Sequence, residues 1–290
     1  MTAGAVTPDT ETPGRGSASQ TGARPTGRRV SWRPRWLVGL IVPVVLVAAW
    51  QLAKSAGALS YANLPSPLQI WDSAVTLTGN GQIPGDFGHT LAACLLGWVI
   101  GSAIGAAAGV ALGLSRLVWS YSMASVEVLR SIPAISFIPI AVIIFLQSLK
   151  MEIVIAAWVS IWPVAVSTMA GVAGVTSAHR DLAASLRMSW TARVAKLALP
   201  TALPKMLVAL RLGLSGALVL AIVAEIVGNP HGVGYALVNA QQQAQPAEMF
   251  AYVLLTGVVG VVLNALLTLA YRRLAPGFHL AESRRTTSGR

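Results

Sequence analysis

Six long apolar runs constrain the fold of this chain more than any other feature of its sequence. A bilayer core of about 30 Å is crossed by roughly 20 apolar residues in a helix. A charged share of 11% beside a hydrophobic share of 54% leaves too little polar sequence to cover a water-soluble globule of 290 residues. We therefore predict an all-α, polytopic membrane protein with about six transmembrane helices. The predicted spans are 36–53, 89–114, 132–149, 153–175, 204–227 and 250–271.

The basic residues predict how these spans are oriented. Lys and Arg in short connections favour the cytoplasmic side of a membrane. With the N-terminus inside, only Lys54 and Lys150 among the 21 Lys and Arg fall on the outer side. The net charge of +11 is thus explained by membrane anchoring, and no pattern of basic and aromatic residues outside the flanks indicates nucleic-acid binding. We predict a multi-pass plasma-membrane protein with both termini in the cytoplasm.

The domain organisation follows from the same composition. Residues 1–30 are rich in Gly, Pro, Ser and Thr and predict a disordered cytoplasmic tail. Residues 36–273 form the predicted transmembrane domain, and 277–290 a cytoplasmic C-terminal tail. Within the transmembrane domain, residues 176–203 form the longest cytoplasmic connection.

A glycine repeat marks one face of the second predicted span. Its glycines recur every four residues, so one side of the helix has almost no side chains. In lipid, helices associate through close van der Waals approach, which glycine permits. We predict that this face packs against another helix. The glycines are Gly97, Gly101, Gly105, Gly109 and Gly113.

The sequence contains no pattern that indicates an enzyme. The four histidines are dispersed, and neither a His-Glu-x-x-His metal motif, a Gly-x-Ser-x-Gly elbow nor a phosphate-binding loop occurs. The single cysteine, Cys94, lies in an apolar run and is typical of a small buried hydrophobe. We therefore predict no catalytic, cofactor-binding or metal-binding residue in this chain.

Glu225 is the one carboxylate that the predicted spans place inside the membrane. An ionisable group there faces a partner or a water-filled cavity. Two hypotheses remain open: Glu225 lines or gates a transport pathway, or it lies near the outer interface and hydrogen-bonds the loop that contains Asn229 and His231.

A second charged pair precedes the third predicted span. Glu127 and Arg130 lie three residues apart, where a helical ion pair is possible. Charges are costly at the bilayer centre, so we expect this pair near the cytoplasmic interface, before Pro133 and Pro139 shape the next span.

The connection 176–203 contains an amphipathic helical pattern. Ser189 is placed to cap a second short helix, and Pro200 and Pro204 are placed to limit its end. Such a stripe either lies on the membrane surface or docks into a groove of a partner protein. The apolar stripe consists of Leu182, Leu186, Trp190, Val194 and Leu197.

The segment "DLAASLRMSWTARVAKLALP" at 181–200 resembles the EAA loop of permease subunits of ATP-binding-cassette (ABC) importers. The family pattern is Glu-Ala-Ala, three residues, Gly, nine residues, a branched aliphatic, one residue and Leu-Pro. Asp181 stands at the Glu position, and the Leu-Pro ending is intact. Arg187 stands at the Gly position, which leaves open whether the loop turns there. The segments "LPSPLQIW", "LRSIPAISFIPI", "LRLGLSGALVLAIVAEIVG" and "GVGYAL" extend the similarity over about 60–275 and resemble the nitrate, sulfonate and taurine branch.

The resemblance implies a permease domain and an importer built from two permease chains, two cytoplasmic ATPase subunits and an extracytoplasmic solute-binding protein. The permease would be a homodimer forming the pathway for a small anion such as a sulfonate, taurine or nitrate, with ATP and magnesium on the partner ATPase. The alternative is a secondary transporter or channel without an ATPase. The EAA loop would be the coupling helix that docks into the ATPase. Its implied docking residues are Asp181, Leu182, Ala183, Leu186, Arg187, Leu197 and Pro200.

Overall fold

Helices and the loops between them make up the part of the chain that the computed structural model describes, which is residues 35–59, 61, 63–114 and 116–274. The predicted tails 1–30 and 277–290 lie outside the described residues. The chain divides into two units, 1–46 and 47–290. The first unit ends inside helix α1 (Arg35–Ser55), and the helices described below belong to the second.

Four helices in the described residues are long and apolar enough to cross a membrane. They are α3 (Gln82–Gly113), α6 (Leu149–Ala173), α9 (Leu199–Gly228), which continues from a preceding short helix, and α11 (Pro246–Leu274). A fifth span is possible if one sharply bent pair of helices crosses as a unit, and the apolar part of α1 is shorter. The all-α, multi-pass class predicted from the sequence is confirmed.

The predicted continuous span 132–149 is wrong. Helix α4 (Arg116–Ser131) ends just before Pro133, and a short 3₁₀ turn (Ala134–Phe137) leads into α5 (Ile138–Phe145). The eight residues of α5 extend only about 12 Å. The two arms of this pair are bent by 71°, because a proline disfavours helical backbone at the residue before it.

The charged pair on α4 forms as predicted. Arg130 Nη2 donates to Glu127 Oε1 at 2.7 Å, and both side chains are about half exposed. At three residues' separation on a helix surface, such a pair is a local contact that needs no tertiary partner.

The glycine stripe of α3 lies directly against α6. All five glycines are buried. A Cβ at Gly97 would lie 2.5 Å from Ala156 Cβ, and one at Gly105 would lie 2.5 Å from the Ile161 carbonyl oxygen. The two backbones therefore approach as closely as glycine permits.

Helix α9 completes a three-helix core with α3 and α6. Ser160 Oγ on α6 donates to the Gly213 carbonyl at 3.2 Å, and Trp98 Nε1 on α3 donates to the Leu210 carbonyl at 2.9 Å. Cys94 is fully buried in this core and behaves as the small hydrophobe that the sequence predicts. The buried apolar residues here are Ala93, Cys94, Ala156, Leu214, Ala217, Leu218 and Ala221.

Two helices outside the predicted spans cover one end of this core. Helix α2 (Pro67–Gly79) begins with a capping box between Ser66 and Gln69. Helix α10 (Val233–Gln242) follows the loop after α9. Together they bury an apolar cluster against α3 and α11, and this cluster holds the loop 229–232 over the ends of the core helices. The cluster consists of Leu77, Ile83, Phe87, Val233 and Tyr252.

Candidate functional site

The connection 176–203 folds into two short helices that lead into α9. Helix α7 (Ser177–Ser185) is capped by Thr176, and helix α8 (Trp190–Arg193) is capped by Ser189, whose Oγ accepts from the Ala192 N–H at 3.3 Å. The predicted cap at Ser189 is confirmed. A single π-helical turn, Val194–Ala198, then joins α8 to α9.

The predicted helix end at Pro200 and Pro204 is wrong. Pro200 lies in the first turn of α9 and Pro204 lies inside it, so the helical chain runs without a break from Trp190 to Gly228. The π-helical turn just before Pro200 provides the local readjustment that lets the helix continue past the missing N–H. Residues 190–203 of the connection are consequently continuous with α9.

The chain turns sharply at Arg187. Its φ of 45° lies in the left-handed region that favours glycine. The Arg187 N–H donates to the Ala184 carbonyl at 2.9 Å and the Met188 N–H to the Ala183 carbonyl at 3.0 Å, which is the Schellman pattern of a helix C-terminus. Arg193 Nε also donates to the Met188 carbonyl at 3.1 Å and so fixes the angle between α7 and α8. The turn therefore forms although arginine replaces the glycine of the family pattern.

Part of the amphipathic stripe is exposed as an apolar patch. Leu182, Leu186 and Trp190 are 55%, 66% and 64% exposed, and we call these three residues the docking patch. Ala183, by contrast, is 2% exposed. It lines a cavity of about 220 Å³, together with Leu197, between the loop and the neighbouring ends of α3 and α6.

The residues implied by the resemblance thus divide by exposure. Asp181, Arg187 and Pro200 are exposed, and Leu197 is half-buried. The burial of Ala183 gives it a packing role in the loop rather than a place on its outer surface.

A second site lies at the far end of α9, where Glu225 is buried. Its Oε1 accepts from the Thr90 hydroxyl of α3 at 2.7 Å, and its Oε2 accepts from the Gly234 N–H of α10 at 2.7 Å. Thr90 Oγ1 in turn accepts from the Val233 N–H at 3.0 Å. These bonds tie the first turn of α10 to α3 and α9. Glu225 thus hydrogen-bonds the segment after α9 through Gly234 rather than through Asn229 or His231, and its role in lining or gating a pathway stays a prediction.

The glycines of this loop are required by the same contacts. Gly232 has a φ of 91°, and a Cβ there would overlap the Glu225 carboxylate. A Cβ on Gly234 would overlap the backbone of α9 at Ile222. Only glycine lets the loop backbone approach the buried carboxylate so closely.

A second buried carboxylate, Glu152, joins this site from the first turn of α6. Its Oε1 accepts a hydrogen bond from Asn229 Nδ2 and lies 3.1 Å from His89 Nε2. Its Oε2 has no hydrogen-bond partner among the described residues. The sequence pattern did not reveal Glu152, because it lies one residue before a predicted span and would ordinarily be assigned to the interface. The available signal was a lone glutamate directly before a long apolar run.

Together these side chains form the polar cluster, which we define as His89, Thr90, Glu152, Glu225 and Asn229. Three of them, His89, Glu152 and Glu225, each bring one possible metal-ligand atom to within 4.8 Å of the others. The same side chains are engaged in the hydrogen bonds described above. The buried hydrogen bonds of the polar cluster thus join α3, α6, α9 and the loop before α10.

This chain is similar to one protein family and to curated transport permeases over most of its length. The family described as binding-protein-dependent transport system inner membrane component matches residues 90–280. A Bacillus subtilis (strain 168) protein, SsuC, whose name assigns it to aliphatic sulfonate transport, is 30% identical over 239 residues, which cover 82% of this chain and 87% of SsuC. The bicarbonate transport system permease protein CmpB of Synechococcus elongatus (strain ATCC 33912 / PCC 7942 / FACHB-805) is 28% identical, covering 84% of this chain and 92% of CmpB.

A solved structure shares the fold. A chain of the MetNI methionine ABC transporter in an inward-facing conformation aligns with a TM-score of 0.56 at 21% identity, covering 66% of this chain and 93% of that chain. At this identity the likeness concerns the fold alone.

Proposed function

Because the chain belongs to the family of binding-protein-dependent transport system inner membrane components, we propose that its cytoplasmic loop couples an ATPase subunit to the import of a small oxyanion. The chain is a permease subunit of an ABC importer and forms the translocation pathway in the plasma membrane. ATP hydrolysis lies in a separate subunit of such importers. No finding favours a secondary transporter or channel.

The proposed orientation places both termini and the loop 176–203 in the cytoplasm. The distribution of basic residues supports it. It also sets the polar cluster near the outer face and the docking patch toward the cytoplasm, since Glu225 of the cluster and Trp190 of the patch lie near the two ends of one continuous helix.

The docking patch is the observation that carries the coupling proposal. Three large apolar side chains exposed at the tip of a polar loop bury favourable area when a partner groove covers them. Because α8 and α9 are continuous, a displacement of the loop is transmitted to the transmembrane helix. ATP-driven closure of the ATPase subunits would thereby favour one orientation of α9 over another.

The proposed assembly contains two copies of this permease, two ATPase subunits that carry ATP and magnesium, and an external solute-binding protein. No cofactor is assigned to this chain. The proposed solutes are nitrate, bicarbonate and sulfonates such as taurine, because the relatives are named for sulfonate, nitrate and bicarbonate transport. Native mass spectrometry of the purified complex tests the proposed two-to-two composition.

Substitution in the docking patch tests the coupling proposal. Leu186→Asp places an unpaired charge where the ATPase would exclude water, which costs several kcal/mol. Ala184→Asp adds the same charge to the same exposed helix, two residues away on the opposite face. We expect both variants to insert in the membrane, but only Leu186→Asp to lose the ATPase subunit in a pull-down and to lose solute uptake. Wild-type pull-down and uptake by Leu186→Asp would contradict the proposal and favour a loop that lies on the membrane surface.

A further inference from the structure

An arginine lies inside the apolar helix α9. Arg211 is 17 residues before the helix ends at Gly228, about 26 Å along the helix axis, and so within the thickness of a bilayer core. The charge count of the sequence had placed it on the cytoplasmic side. Its side chain is exposed on the single chain beside Val208 and Leu212, which are also exposed. Because an arginine facing hydrocarbon is costly, we expect the Arg211 guanidinium to face either a polar surface of the assembled importer or the cytoplasmic interface.

Helix α11 supplies a polar partner at the same depth. Asn264 is 18 residues after the helix begins at Pro246, about 27 Å along its axis. Arg211 Nε donates to Asn264 Oδ1 at 3.0 Å, and Thr268 Oγ1 donates to the Asn264 backbone carbonyl at 2.7 Å. Asn264 therefore holds the inner edge of the guanidinium in place.

The outer edge of the guanidinium is open. Among the described residues, no hydrogen-bond acceptor engages the Nη atoms of Arg211 or the Nδ2 atom of Asn264. These groups line an open surface cavity of about 600 Å³, which α11 forms together with Arg211 of α9. Arg272 also lines this cavity, and no carboxylate of the described residues does. The cavity thus has a positive field and unsatisfied donors, which attract an anion.

We propose that Arg211, with Asn264 and Arg272, forms an oxyanion-binding subsite on the translocation pathway. The proposal rests on the proposed import of a small oxyanion. With its Nε held by Asn264, the guanidinium presents its two Nη groups to two oxygens of one sulfonate, nitrate or bicarbonate. On the proposed orientation the subsite lies in the inner part of the span, toward the cytoplasmic end of α9.

The subsite discriminates by geometry as well as by charge. A planar fork binds two oxygens bidentately, whereas a lysine ammonium offers a point charge. An uncharged or cationic solute gains nothing from the two arginines. The subsite therefore predicts a preference for anions that carry at least two oxygens on one atom.

Uptake by the complete importer tests the subsite. The probes are taurine, methanesulfonate, nitrate and bicarbonate, supplied with the solute-binding protein and ATP to the purified complex in vesicles. The variants are Arg211→Gln, Arg211→Lys and Asn264→Leu. The matched control is Arg273→Gln, which removes an exposed cation that follows Arg272 in the chain but does not line the cavity. Co-purification of the ATPase and ATPase activity stimulated by the binding protein report assembly for each variant.

We expect Arg211→Gln to assemble and to lower the uptake rate about tenfold or more, the effect of losing a hydrogen bond between charged groups. Arg211→Lys and Asn264→Leu should show smaller losses with a raised half-saturating concentration, and Arg273→Gln should match the wild type. Wild-type uptake by an assembled Arg211→Gln contradicts the subsite. If that variant does not assemble, wild-type uptake by Arg211→Lys contradicts it equally.

Two further outcomes separate the alternatives. A phospholipid headgroup could supply the same anionic chemistry, so the complex is also compared in phosphatidylcholine vesicles with and without phosphatidylglycerol. If Arg211→Gln abolishes a phosphatidylglycerol-dependent stabilisation while uptake stays at the wild-type rate, the arginine binds lipid and the subsite is refuted. Failure of the wild type to import any of the four anions refutes the substrate class itself, whereas wild-type import unaffected by every variant refutes the subsite alone.

Discussion

The contact between α3 and α6 provides a sharp test of how closely the two helices must approach. Gly105→Ala adds one methyl group in the middle of the glycine stripe. The added Cβ would lie 2.5 Å from the Ile161 carbonyl oxygen and 3.1 Å from the Ala165 nitrogen, both of which belong to backbone that cannot rotate away. Gly88→Ala on the same helix is the matched control, because a Cβ there meets nothing within 4 Å.

The comparison of the two variants isolates the cost of packing. Each replaces a helical glycine by alanine, which by itself stabilises a helix by about 1 kcal/mol. That contribution cancels in the difference between them. The Gly105 contact falls short of the van der Waals optimum by about 1 Å. Relieving it separates the helices, and we expect Gly105→Ala to be less stable than Gly88→Ala by about 1–3 kcal/mol.

Thermal unfolding of the purified complex in lipid nanodiscs measures this difference. A change of 1 kcal/mol corresponds to a shift of about 2–4 °C in the midpoint of a soluble domain of about 150–250 residues, and we expect a shift of this order here. The reasoning requires a lower midpoint for Gly105→Ala than for Gly88→Ala, and a midpoint for Gly88→Ala that equals or exceeds that of the wild type. A Gly105→Ala protein that unfolds at the midpoint of Gly88→Ala would refute the close contact of α3 with α6.

Three other predictions concern the loop and the polar cluster. Arg187→Gly keeps the left-handed turn and removes its cost to a non-glycine residue, which is about 1–2 kcal/mol. This variant should therefore unfold at a higher temperature and still pull down the ATPase. A lower midpoint would contradict the observed turn. Glu225→Ala should destabilise the protein by about 2–4 kcal/mol in denaturant titrations, because the Gly234 N–H and the Thr90 hydroxyl lose their acceptor. Glu225→Gln should lower the free energy of unfolding by less than about 1 kcal/mol, since its amide can accept from the Gly234 N–H and donate to Thr90 Oγ1. Equal losses of stability in the two variants would contradict a stabilising role for these hydrogen bonds. Addition of EDTA should leave the unfolding midpoint unchanged, because protein hydrogen bonds hold the polar cluster; a midpoint that falls with EDTA and recovers with Zn²⁺ would identify a metal there.

Local patterns in the sequence predict most of the helices and the two-helix form of the loop. A long apolar run identifies a spanning helix because the bilayer imposes a length on it. The four-residue glycine period identifies a packing face because it follows the helical repeat. Ser189 identifies a helix start because its hydroxyl satisfies a backbone N–H only three residues away.

The failures occur where a local rule competes with its surroundings. The apolar run 132–149 is long enough to span, but the break at Pro133 leaves only the eight residues of α5 as an α-helix within it. Pro204 should end a helix, but α9 continues past it. Arg187 is a poor residue for a left-handed turn, yet two backbone hydrogen bonds and the Arg193 side chain hold it there.

What the sequence by itself determined is therefore the class of protein, the approximate helices and the loop that distinguishes the family, since each depends on residues close together in the chain. The tertiary structure decided which side chains meet. Thr90 and Glu225 are 135 residues apart, and Arg211 and Asn264 are 53 apart. No periodic pattern encodes such pairs, because they form only when separate helices pack with one particular rotation and depth. Both the polar cluster and the proposed oxyanion subsite arise from that packing.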